Sequence, residues 1–221
     1  MTLLFLSLAP VILILIYINY RDKYEKEPLG LLLKALVAGA IITIPVIIVE
    51  MILDEYNVGE SKMVNAFYKG FIVAALTEEA FKFFAFRILI WKNKNFNEFF
   101  DGIIYAVFIS LGFAAVENIL YVFQGGGSVG LLRAFTAVPA HAIFGVAMGY
   151  YFGLARFIPE KKSYYMGMAI FIPVLLHGLY DFIIFSENEW LLLLFVPYII
   201  FMWIFGFKKM KKHSQNSQFK G

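Results

Sequence analysis

Seven ionisable side chains lie where the surrounding sequence is otherwise apolar: Glu78, Glu79, Lys82, Glu117, His141, His177 and Asp181. Each such group costs a few kcal/mol (about 2.5–3.5 for a charge at the centre of a spanning helix) if it sits at membrane depth. Glu78 and Lys82 are four residues apart and Glu79 and Lys82 three apart, spacings that let side chains meet on a helix surface. His177 and Asp181 are also four apart, so the carboxylate can fix the histidine's tautomer and orientation. Neighbouring helical positions diverge by about 100°. Glu78 and Glu79 therefore cannot play identical parts: one points into a shared site and the other supports it.

Glutamates and histidines without a triad-like serine or cysteine suit the activation of water. A buried carboxylate can take a proton from water near neutral pH, and a histidine can return one to a leaving amine or bind an oxyanion. That is peptide hydrolysis inside a membrane. The same residue types can ligate a divalent metal, which would acidify the water instead, although no H-E-x-x-H stretch is present. Plainer uses exist for each residue alone. The Glu78/Glu79–Lys82 group could be a structural ion pair, Glu117 with Asn118 an interhelical hydrogen-bonding unit, and His141 a satisfied core histidine. Asp101 reads as a helix N-terminal charge, and His213 as a solvated residue of the polar tail.

The elements that must hold these groups follow from composition. Of 221 residues, 61% are hydrophobic, 19% aromatic and only 16% charged, with mean hydropathy +0.76. Soluble domains run near about 45–50% apolar and 25% charged. Disorder, coiled coil, secreted mini-protein and nucleic-acid reader are excluded together, leaving an all-α polytopic membrane protein with the lipid bilayer as its surroundings. The absence of cysteine removes disulfides, thiolate metal sites and cysteine nucleophiles.

Seven apolar runs are long enough to span: 3–20, 29–53, 66–91, 99–123, 130–157, 164–185 and 190–207. The joints between them are short, so residues 1–207 form one catalytic domain and 208–221 a basic tail. Lysine and arginine are dense in the first, third and fifth joints and in the tail, and sparse in the others. That alternation puts the N-terminus outside and the tail in the cytoplasm. No positive residue precedes the first run and several follow it, the pattern of an anchor inserted N-terminus out rather than a cleaved signal.

At a rise of 1.5 Å per residue, Glu78 and His141 then lie about 17 Å below the outer surface, His177 about 12 Å and Glu117 about 9 Å. Four helices converge on one layer, which favours a shared, watered site. Pro139 and Pro173 precede the two histidines and are expected to bend their helices and widen a cavity there. Gly125-Gly126-Gly127 reads as a flexible outer loop.

The sequence resembles the PrsW family of bacterial intramembrane proteases, within the superfamily that includes the CAAX-processing and bacteriocin-immunity proteases. The resemblance rests on Ala9-Pro10-Val11-Ile12-Leu13, the RDKYEKEP joint, TEEAFK with Glu78, Glu79 and Lys82, FFDGIIYAVFISLGFAAVENILY with Asp101, Glu117 and Asn118, PAHAIFGVAMGYYFGLARF with His141, and LLHGLYDF with His177 and Asp181. It implies that Glu78 and Glu79 are essential and that Glu117, His141 and His177 complete the catalytic set; Lys82, Asn118 and Asp181 are expected to support it. The implied reaction is site-1 cleavage of a single-span anti-sigma factor, which frees an extracytoplasmic-function sigma factor under envelope stress. The family has been described both as glutamic and as metalloprotease, so the implied cofactor is either none or a divalent metal such as zinc. The rival from another class is a proton-coupled transporter using the same carboxylates as a relay; its inverted repeats are not visible in the sequence.

Overall fold

The computed structural model describes residues 2–56 and 61–220, so residues 57–60 of the second joint lie outside the described residues. Every regular element among them is helical. These are α1 (Thr2–Arg21), α2 (Leu29–Glu55), α3 (Lys62–Phe67), a π-helical segment (Tyr68–Leu76), α4 (Thr77–Leu89) and α5 (Phe99–Phe135), then α6 (Ala137–Phe157), a 3-10 turn (Pro159–Lys161), α7 (Lys162–Phe185), α8 (Glu189–Leu193) and α9 (Phe195–Gln215). Four stretches are long and apolar enough to cross a membrane by length and composition: Thr2–Arg21, Leu29–Glu55, Phe99–Phe157 and Pro159–Phe185. The expected third span is divided among α3, the π segment and α4, and the expected seventh between α8 and α9.

Helix α5 is the axis of the molecule. Every residue from Phe100 to Ala114 is buried, as befits a helix that is apolar all round. Helices α1, α2 and α6 pack around it, and α7 packs on α6 and on the π segment. Side chains such as Leu13, Ile16, Ile41, Ile44 and Ile88 point outward and are exposed, an apolar coat of the kind that lipid chains cover. The α5–α6 crossing brings backbone against backbone: a Cβ on Gly149 would collide with the carbonyl oxygen of Gly102. Small residues at a crossing give membrane helices this close approach.

Asp101 caps α5 as its position suggested. Its Oδ2 accepts the backbone N–H groups of Asn97 at 2.7 Å and Glu98 at 2.6 Å, part of a reciprocal capping box.

Three local expectations are corrected. The Gly125–Gly127 run is helical on both sides and breaks only at Gly126, with φ +77°, a backbone region glycine enters freely. A straight helix would hold Asn118 and Arg133 about 22 Å apart, yet their side chains are hydrogen-bonded at 2.8 Å. The chain therefore folds back on itself at Gly126. Pro139 falls in the first turn of α6, where a missing N–H breaks no helical bond, and it lines a small apolar cavity away from the buried carboxylates.

His213 is the third. It was expected to be solvated, but α9 runs on past the apolar stretch and buries it completely. Its Nε2–H donates to the carbonyl of Tyr150 at 2.8 Å, and its ring stacks on that tyrosine at 4.1 Å. Burial pushes its pKa from 6.5 down to about 3, so the folded protein keeps it neutral. The unfolded chain takes up the proton below about pH 6.5, and stability present above that value is lost as pH falls towards 3. Between pH 7 and pH 5 the loss is expected to be about 2 kcal/mol. Thermal melting in detergent should register it, and His213→Phe, which keeps the stacked ring, should flatten that part of the profile.

The π segment matters for position. Wide turns of this kind recur at functional sites, and this one ends immediately before Thr77, Glu78 and Glu79. Gly70 within it lies so close to α7 that a Cβ there would sit 2.9 Å from the backbone nitrogen of Phe182. That contact seats the turn bearing Asp181 beside the glutamates.

Candidate active site

The seven ionisable residues form one cluster built by α4, α5, α6 and α7. Lys82 is at its centre and is fully buried. Its Nζ donates to Glu78 Oε2 at 2.9 Å and to Glu79 Oε1 at 2.8 Å, lies 3.4 Å from His141 Nδ1, and sits over the Phe113 ring at 4.3 Å. An ammonium has only donors, so His141 Nδ1 accepts. The ring proton is then on Nε2, which faces Glu117 Oε2 at 2.8 Å.

His177 is held between carboxylates. Its Nδ1 lies 3.0 Å from Glu79 Oε1. Its Nε2 lies 3.2 Å from Asp181 Oδ2 and 3.9 Å from Glu78 Oε1. Two acceptor partners suit a ring carrying a proton on each nitrogen. Phe144 stacks on it at 4.6 Å and fixes the plane. The two histidine rings are 5.5 Å apart.

A cavity of about 890 Å³ adjoins the cluster and is lined by Glu78, Glu117, His141, His177 and Asp181 among others. Glu79 and Lys82 are absent from that lining and stand behind it. The two adjacent glutamates thus divide as their angular separation requires: Glu78 faces the cavity and Glu79 anchors Lys82 and His177. Asn118 does not touch the cluster directly. Its Nδ2 donates to the Ser7 carbonyl at 2.8 Å, and its Oδ1 accepts from Arg133 Nε, so it ties α1 to the C-terminal half of α5.

Two residues of this region escaped the sequence reading. Arg133 lies near the start of the fifth apolar run with no spacing that links it to Glu117, but the reversal at Gly126 brings its Nη2 to Glu117 Oε2 at 2.9 Å. Glu50 lines the same cavity from α2; a carboxylate interrupting the second apolar run was its only signal.

The donor set suits a divalent metal in type. Glu78, Glu79 and His141 each offer one ligand atom, all within 4.8 Å of one another, and Glu79 Oε2 is buried with no hydrogen-bond partner. Two carboxylates and an imidazole are zinc ligands by chemistry. Lys82 already meets all three residues, so an ion would take over its contacts.

Residues 27–207 match the family described as PrsW family intramembrane metalloprotease. Proteins named Protease PrsW are similar along nearly the whole chain. That of Bacillus subtilis is 35% identical over 207 residues, 93% of each chain. That of Clostridioides difficile is 36% identical, covering 98% of this chain and 93% of its own, and that of Oceanobacillus iheyensis is 35% identical, covering 98% of both. No solved structure matches the chain. With a family match across most of its length and relatives of this closeness, the chain belongs to the PrsW family and is an intramembrane protease.

Proposed function

We propose that this protease makes the first cut in a single-span anti-sigma factor, acting as a seven-span protein of the bacterial cell membrane. In this reading the N-terminus is outside, residues 1–207 carry the chemistry, and 208–221 form a cytoplasmic tail. The alternation of lysine and arginine between joints supports the orientation. The observation that carries the reaction is the meeting of three buried side chains, Glu78, His141 and His177, on one cavity.

Glu78 takes a proton from a water in the cavity as that water attacks the scissile carbonyl. His177, steadied by Glu79 and Asp181, gives a proton to the departing amine. His141, gripped by Glu117 and Lys82, and Arg133 on Glu117 hold that wall rigid, and Asn118 braces it. Glu78, Glu79 and His141 are the residues that would hold a divalent ion such as zinc, which when bound makes a water easier to deprotonate.

The test is cleavage in proteoliposomes of purified protein and an anti-sigma factor, with products located by mass spectrometry. A cut within or beside the substrate's span is expected; intact substrate beside folded protease would sink the proposal. A zinc-selective chelator is expected to leave the melting temperature unchanged, because Lys82 already forms ion pairs with both glutamates. Cleavage lost under the chelator and regained with zinc assigns the water to an ion, and undiminished cleavage assigns it to Glu78 alone.

A further inference from the structure

A second group of carboxylates lies about 24 Å along α5 from Glu117, at the helix's N-terminal end. It joins the α1–α2 connection to the start of α5. One carboxylate oxygen from each of Glu25, Glu27 and Asp101 lies within 4.8 Å of the other two. Asp101 is fully buried, Glu27 is buried and Glu25 half-buried.

Their hydrogen bonds leave a clear remainder. Asp101 Oδ2 is used by the N–H groups of Asn97 and Glu98. Glu25 Oε1 accepts from Asn97 Nδ2 at 3.1 Å, and Glu27 Oε2 accepts from the Tyr105 hydroxyl. Asp101 Oδ1 and Glu25 Oε2 remain, both buried and without a partner. Beside Glu27, Asp22 is fully buried, and the backbone N–H of Glu27 approaches its carboxylate. Lys26 acts on Asp22 through its charge, but its ammonium donates to the Asn19 carbonyl. Among the described residues no lysine or arginine forms an ion pair with any of these carboxylates.

Buried carboxylate oxygens facing one another need a positive charge or a shared proton between them. The donors are all oxygen, without nitrogen or sulfur, which selects a hard cation over zinc. Oxygens that share a calcium or magnesium ion at about 2.0–2.6 Å stand no more than about 5 Å apart, and these three lie within 4.8 Å of one another. The geometry points to a binding site for a hard divalent cation, calcium or magnesium, held by Glu25, Glu27 and Asp101 with Asp22 as a further carboxylate. The ion ties the α1–α2 connection to the N-terminus of the central helix. It is separate from the Glu78–Glu79–His141 set and independent of the proposed substrate.

The test uses the full-length protein in non-ionic detergent, stripped of divalent ions. Terbium serves as the probe, excited through tyrosine, since the Tyr105 hydroxyl rests on a proposed ligand. One saturable terbium site is expected, displaced by calcium or magnesium, with the more effective competitor naming the ion. The same two ions are expected to raise the melting temperature by several degrees. Glu25→Gln, in the connection and away from the α5 cap, should weaken binding at least about tenfold and abolish the melting shift. Asp101→Asn should do the same if it folds. The signal should persist in Glu78→Gln, which removes a donor only from the other cluster. Absence of saturable binding in the unaltered protein, or unchanged binding in Glu25→Gln, would overturn the assignment and leave a proton shared between Glu27 and Asp101.

Discussion

Glu78→Gln leaves a folded protein whose cleavage rate has fallen by about 10²- to 10⁴-fold, the range a positioned general base contributes. Glutamine keeps the volume and one acceptor oxygen, so Lys82 Nζ retains a partner where it now donates to Glu78 at 2.9 Å. What disappears is the capacity to take a proton at the cavity wall. Glu79→Gln differs in kind. That residue's Oε1 serves both Lys82 and His177, so activity and melting temperature should fall together. Rates measured in proteoliposomes, with melting recorded on the same preparations, separate the two. Should Glu78→Gln stay within about tenfold of the unaltered rate while Glu79→Gln loses it without loss of stability, the base is Glu79.

Lys82→Met carries the largest expected cost to stability, about 3–5 kcal/mol, the penalty for removing one partner of a buried ion pair. Methionine fills the space above Phe113 but returns nothing to the two carboxylates. Both glutamates are themselves buried, at 4% and 0% exposure, and Glu79 stands behind the cavity wall, so water cannot replace the ammonium there. Thermal unfolding in detergent should show a large drop in melting temperature. Added zinc should recover part of it through Glu78, Glu79 and His141. An unchanged melting temperature would mean that the glutamates share a proton and that Lys82 adds no net stability.

Much of the cluster was legible because charge inside an apolar run is an energetic anomaly that a sequence displays openly. Glu78, Glu79 and Lys82 announced their contacts through three- and four-residue spacing, and so did His177 with Asp181. Glu117 and His141 needed only the depth argument to be set together, and they meet at 2.8 Å. Arg133 was not legible, because its role depends on a chain reversal at a single glycine between two helical stretches. His213 follows a run of lysines, and nothing in that pattern says that the helix continues and presses the ring on Tyr150. Asp22, Glu25 and Glu27 belong to a short polar joint, where charged residues are ordinary. Their burial depends on the distant N-terminus of α5.

The wide turn between Tyr68 and Leu76 has a consequence for how the two glutamates are told apart. Each residue added to or taken from a helix rotates everything after it by about 100°. The π segment sets that phase directly upstream of Glu78 and Glu79. Chemically the two carboxylates are the same. Loss of one residue from the segment would present Glu79 to the cavity and turn Glu78 away from it. Their division of labour is therefore a matter of phase, and it is stored in the backbone above them.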